Sequence, residues 1–123
     1  MPIFVVHRHA ARNLHYDLRI QRNGALKSWA VPKQPPLKPG IKRLAVQVPN
    51  HKLSYAKFQG TIPEGQYGAG KVKMWDKGSI KIIEWTLKKI LVEFKGEKMK
   101  GNYALVPFKS SGKKNWLLFK EKK

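Results

Sequence analysis

The 123-residue sequence predicts a mostly-β protein, an antiparallel barrel or sandwich in which helix is confined to short turns. Three observations point there. Apolar and polar residues alternate with a period of two through several segments, as half-buried strands require. Turn residues return at intervals of about 10 positions, the spacing of short antiparallel strands. Helix signals are weak.

The elements follow in order. "IFVV" opens as a first strand; no basic segment precedes it and no small-residue cleavage site follows, so it is not read as a secretory leader. Leu14 to Gln21 alternates, Asn23-Gly24 turns, and Leu26 to Val31 returns, the pattern of a tight hairpin. Pro32 to Gly40 carries four prolines in nine residues and is predicted as a surface loop. "KRLAVQVPN" is a strand ended by Pro49, and "HKLSYAKF" a single helical turn. Glycines 60, 65, 68, 70 and 78 bracket one strand around Lys71 to Trp75 and another from Ser79. "KKILVEFKGEKMKGNYALVPF" makes two strands about a glycine-containing turn, and "NWLLFKEKK" the last. The length suits a single domain over 1–123, without room for two cores.

Charge narrows the function. Lys and Arg total 26 against 7 Asp and Glu, a net charge of +19. Self-repulsion of that size favours a polyanionic partner, and nucleic acid is the first candidate because each paired phosphate releases a counterion. A solvated lysine-rich surface is the alternative. With no cysteine there is no disulfide, thiolate metal site or cysteine nucleophile. No apolar run approaches a membrane span, and a cytoplasmic, monomeric protein is expected.

The stretch "HAARNLHYDLR" holds the sole acidic residue among the first sixty, Asp17. On a strand from Leu14 to Ile20, His15, Asp17 and Arg19 share one face, while Leu14, Tyr16, Leu18 and Ile20 share the other. Alternate side chains stand about 6.6 Å apart at their Cα atoms, close enough for His15 and Asp17 to chelate one ion. His9, across the "AARN" bend, supplies a third ligand. Two imidazoles and a carboxylate suit Mn²⁺, Zn²⁺, Fe²⁺ or Co²⁺ better than Ca²⁺ or Mg²⁺, and three protein ligands leave positions open for substrate. Arg19 beside them offers a planar fork to a phosphate. The structural alternative is a surface cluster in which Asp17 pairs with Arg19 or Arg12. His51, Tyr55, Lys33 and Arg43 are ordinary polar residues unless the fold brings them together. The glycines of "PEGQYGAG" lack the lysine-serine pair of a phosphate-binding loop and read as turns.

"FVVHRHAARNLHYDLRIQRNGALKSWAVPK", "KRLAVQVPNHKLSYAKFQGTIPEGQYGAGKV" and "MWDKG" together resemble the 3′-phosphoesterase domain of bacterial DNA ligase D, strongly from Phe4 to about Gly78 and weakly beyond. That resemblance implies a compact antiparallel β-barrel with a crescent-shaped groove. It implies manganese-dependent healing of DNA 3′ ends in double-strand-break repair: removal of a 3′-phosphate, and in many members a terminal 3′-ribonucleotide, to leave a 3′-hydroxyl for a polymerase or ligase. The family's metal ligands fall on His9, His15 and Asp17. Its phosphate-contacting and catalytic positions fall on Arg19, Lys33, Arg43, His51 and Tyr55. His7 departs from a family position usually filled by another polar residue and is expected beside the ligands. Pro49 and Asn50 replace acids, Gln59 replaces a common glutamate, and the polar arm preceding the core motif in larger modules is expected to be missing. These departures bear on ribonucleotide removal more than on 3′-phosphate release. A non-catalytic basic barrel that only binds nucleic acid is the rival, and a His/His/carboxylate iron oxygenase fits the charge poorly.

Overall fold

The computed structural model describes residues 2–66, 69–108 and 114–122. Tyr67 and Gly68 lie outside the described residues, as do residues 109–113. The described residues form strands β1 (Ile3–Ala10), β2 (Leu14–Arg22), β3 (Ala25–Val31), β4 (Lys42–His51), β5 (Gly60–Ile62), β6 (Gly70–Trp85), β7 (Ile90–Gly96), β8 (Lys100–Pro107) and β9 (Asn115–Lys120), with a 3₁₀ turn at Leu53–Lys57. Strand order is β1-β2-β3-β4-β9-β8-β7-β6-β5, and β1 also pairs with β6. That last pairing closes eight strands into an antiparallel barrel, with β5 appended along β6. Closure removes the free edges that would otherwise template pairing with another chain.

Alternation decides which side chains fill the barrel. Phe4, Val6, Tyr16, Leu18, Ile20, Trp29 and Val31 point inward and meet Phe94, Tyr103, Leu105 and Leu118 from the far wall. Phe4 and Phe94 pack edge to face at 4.5 Å between ring centroids, and Phe94 and Tyr103 at 5.1 Å. Burying each large apolar side chain contributes about 1.5–3 kcal/mol, so this interior is the main source of stability. The proline loop caps one end: Tyr103 Oη donates to the Pro36 carbonyl at 2.6 Å and Arg43 Nε to the Gln34 carbonyl at 2.9 Å. Asp76, buried, accepts hydrogen bonds from the backbone N–H groups of Lys77, Glu97, Lys98 and Met99 and so holds the β7–β8 turn.

The β2–β3 hairpin is as the alternation predicts, with Asn23 at φ 53° and Gly24 at φ 80°, the paired left-handed conformation of a two-residue hairpin turn. Two boundaries differ from the sequence reading. β6 is one 16-residue strand, not two, and passes straight through Gly78. A Cβ at Gly78 would strike the Lys95 carbonyl, so glycine there permits close strand approach where a turn was expected. Pro49 does not end β4. Ser28 pairs with Val48 and Leu26 with His51, so Pro49 and Asn50 together oppose Lys27 in a bulge. A bulge spares proline the ladder hydrogen bond it cannot make. Strand β5 has no counterpart in the sequence reading.

Candidate metal centre

The outward face of β1, β2 and β3 carries the polar residues. His9 pairs directly with His15 and His7 with Asp17, while Arg19 sits opposite Val5 on one side and Ser28 on the other. The strand pleat therefore stacks His9, His15, His7, Asp17 and Arg19 on one surface without any loop having to order them. One donor atom from each of His9, His15 and Asp17 lies within 4.8 Å of the others. His9 Nδ1 is 3.5 Å from Asp17 Oδ2, and His15 Nε2 is 3.3 Å from Asp17 Oδ1. The His9 and His15 rings are 4.8 Å apart.

The donor set fits a cation. His15 Nδ1 lies 3.0 Å from the Asn13 carbonyl, which can only accept, so Nδ1 carries hydrogen. In neutral His15 the Nε2 lone pair then faces a carboxylate oxygen, two acceptors with nothing between them. Either a proton or a metal ion satisfies that pair, and the backbone carbonyl behind His15 is the partner that orients ligating histidines generally. Without metal, the hydrogen bond to Asp17 raises the His15 pKa. Burial works to raise the Asp17 pKa as well, but the His15 hydrogen bond and the charges of Arg19 and His15 outweigh it and hold the carboxyl below its ordinary value.

Arg19, 4% exposed, ties the candidate ligands to the rest of the pocket. Its Nη2 donates to Asp17 Oδ2 at 3.3 Å, Nε to His7 Nδ1 at 3.2 Å, and Nη1 to Ser28 Oγ at 2.9 Å and His51 Nδ1 at 3.0 Å. Its guanidinium also lies 4.9 Å from the centroid of the Tyr55 ring. Tyr55 packs against His51 at 4.6 Å and stacks on Phe58 at 4.9 Å. Burial raises the Tyr55 pKa, so its hydroxyl keeps its proton at neutral pH. Burial, then the charge of Arg19, lowers the His51 pKa. His7 is fully buried and pushed down to about 4, by burial first and Arg19 second, and is therefore neutral.

The bulge at Pro49–Asn50 is what brings His51 here. Val48 faces outward opposite Ser28, and regular alternation would turn position 51 to the barrel interior. The extra residue reverses that parity and sets His51 opposite Leu26, on the face of Arg19. The 3₁₀ turn then folds back over the same face, burying Ala56 against Val5 and Leu26 and lowering Tyr55 onto His7.

Around these residues lies a cleft of about 380 Å³, lined by His9, His15, Asp17, Arg19, His51 and Tyr55, with Ala30, Val48 and Ile62 among its apolar wall. Six of the eight site residues expected from sequence are thus brought together. Lys33 and Arg43 are not among the lining residues. Lys33 is exposed beyond β3, and Arg43 pairs with Leu118 on the interior side of β4, held by the Gln34 carbonyl. Ser28 was missed by sequence reading, although alternation from Trp29, an interior residue, puts it on the face of Arg19. His7, expected beside the ligands, contacts Arg19 instead of joining the cation site.

The comparison with known proteins decides the family: the profile of the DNA Ligase D 3′-phosphoesterase domain matches residues 7–107. The chain belongs to that family. Two relatives, each named a multifunctional non-homologous end joining protein LigD, are similar over 97% of this chain. The one from Pseudomonas aeruginosa is 46% identical and the one from Mycolicibacterium smegmatis 42%. A third, from Mycobacterium bovis, is 42% identical over 84% of the chain. The chain spans only 15%, 17% and 14% of the lengths of these relatives. The barrel expected from the sequence is the fold this chain adopts, and no helix among the described residues is long and apolar enough to cross a membrane.

Proposed function

We propose that the protein is a manganese-dependent DNA 3′-end-healing phosphoesterase that removes a 3′-phosphate, leaving a 3′-hydroxyl, during double-strand-break repair by end joining. One observation carries the reading: a three-donor cation site and a buried arginine–histidine–tyrosine set open into one cleft of a protein with a net charge of +19. Family membership supports the phosphoester chemistry, and the relatives' names support end joining as its setting.

His9, His15 and Asp17 are assigned as the ligands of a divalent cation, which when bound would supply Lewis-acid charge to a phosphate oxygen. Mn²⁺ is the proposed ion, with Co²⁺ or Zn²⁺ compatible with the same donors. Arg19 makes four side-chain hydrogen bonds and a guanidinium has five N–H groups, which leaves one for phosphate. Tyr55, protonated at neutral pH, would supply a further donor from the same cleft. Fixed donors of this kind stabilise charge as it develops on the transferring group. Lys33 and Arg43 stand at the margin of the proposal. Neither lines the cleft, so alanine there should cost less activity than alanine at Arg19.

The polyanion binding expected of so basic a chain takes DNA 3′ ends as partner, with a separate or fused ligase and polymerase acting on the product. The protein is expected to act as a monomeric single domain in the cytoplasm. The deciding experiment offers a 3′-phosphate and a 3′-monoribonucleotide primer–template to the protein, with and without Mn²⁺, and sizes the products. Mn²⁺-dependent conversion of the 3′-phosphate to a 3′-hydroxyl is the expected result, and shortening of the second substrate would add ribonucleotide removal. Salt-sensitive binding with no product under any metal would leave a non-catalytic nucleic-acid-binding barrel.

A further inference from the structure

We infer that Arg19, itself oriented by Ser28 and His7, locks His51 in the neutral tautomer with its hydrogen on Nε2, so that His51 serves as a fixed hydrogen-bond donor and not as a nucleophile. The inference rests on the phosphoesterase reading for the identity of the acceptor, a phosphoryl oxygen, but its geometry is independent of it.

Arg19 leaves its partners no choice of role. A guanidinium only donates. Arg19 Nη1 lies 3.0 Å from His51 Nδ1, so that nitrogen must present its lone pair, and the ring hydrogen resides on Nε2. The same holds at His7, whose Nδ1 lies 3.2 Å from Arg19 Nε. One buried guanidinium therefore sets two imidazoles.

Ser28 makes the setting rigid. It is fully buried, and its Oγ–H donates to the Leu26 carbonyl at 3.1 Å, which leaves an oxygen lone pair to accept from Arg19 Nη1 at 2.9 Å. With its hydrogen committed and no access to solvent, Ser28 is a positioning residue and not a second nucleophile. Tyr55, 4.6 Å from the His51 ring, restrains the ring against the flip that would exchange its nitrogens.

The chemical consequence is specific. A neutral imidazole with hydrogen on Nε2 has its lone pair turned toward Arg19 and none toward the cleft, so it cannot form a phosphorus–nitrogen bond there. Nor does it deliver a proton to the leaving 3′-oxygen, because that would leave an imidazolate. What remains is donation of a hydrogen bond to a non-bridging oxygen, a role in which neutral histidine polarises a substrate oxygen in triosephosphate isomerase.

The test is the ¹⁵N spectrum of the histidine side chains in the intact metal-free chain near neutral pH, with His51 assigned by its loss in His51→Gln. A pyridine-type Nδ1 and a protonated, pyrrole-type Nε2 are expected. In Ser28→Ala the two forms should begin to mix, with kcat lower by roughly 10–100-fold and KM little changed. Hydrogen on Nδ1 of the wild-type protein, shared with the nearby Pro49 carbonyl, would overturn the inference. So would a phosphohistidine at His51 trapped by alkaline quench during turnover. Absence of any phosphate release by wild-type protein would instead defeat the functional reading, while the nitrogen spectrum would still decide the tautomer.

Discussion

Arg19 is the residue on which the site turns, because its donors meet a candidate ligand, a buried serine and two histidines at once. Lysine keeps the charge but has a single ammonium that cannot span four partners in a plane. Arg19→Lys should therefore lower the rate of phosphate release by roughly 10²-fold or more, on the scale of losing one preorganised donor. Steady-state assay of a 3′-phosphate substrate checks this, and near wild-type turnover would show that charge alone suffices. His7 yields a prediction about stability. Its pKa falls from 6.5 to about 4 on folding, so between those values the unfolded chain takes up a proton that the folded chain refuses. Its contribution is complete above pH 6.5 and is lost as the pH falls toward 4, on the order of 3 kcal/mol. His15, with its pKa raised, pulls the other way, contributing fully below 6.5 and less as the pH rises through its folded value. Denaturation midpoints of wild type and His7→Gln across pH 4 to 7 separate the two. The variant should lose less stability on acidification.

At the scale of elements, the bulge in β4 carries the most consequence. Two residues opposite one set the parity of everything after Pro49, and parity decides whether His51 faces the cleft or the barrel interior. Inserting one alanine between Asn50 and His51 should shift the alternation by one, turn His51 away from Arg19 and abolish activity, with circular dichroism still reporting the barrel. Retained activity would mean that His51 reaches the site by another route. The same bulge marks where sequence reading stopped. Alternation alone identified the inward face of β2 and the outward His15, Asp17 and Arg19, since strict period two leaves no other arrangement. It located the hairpin turn because Asn-Gly adopts positive φ readily. It failed at Pro49, where proline inside a ladder is admissible only at a bulge that no local pattern announces. It failed at Gly78 too, since a glycine needed for close strand approach looks in sequence like a glycine needed for a turn. Lys33 and Arg43 lie outside the cleft lining for a related reason. Arg43 has the parity of Ala45, which is fully buried in the barrel, and sequence separation from His51 does not show this.

For the whole molecule, barrel closure and charge act together. The closed sheet supplies a rigid interior, so its outer face can hold four buried polar residues of β1 and β2, His7, His9, Asp17 and Arg19, without relaxing around them. A net charge of +19 favours a polyanionic partner. Among the first sixty residues, a lone carboxylate sits where two imidazoles and a guanidinium converge, and a divalent cation fits that donor set as well as the metal-free proton does. Calorimetric titration of Mn²⁺ into the metal-free protein tests this most directly. A single saturable site per chain is predicted, lost in Asp17→Asn and His15→Ala. No saturable binding, or binding indifferent to both substitutions, would contradict it.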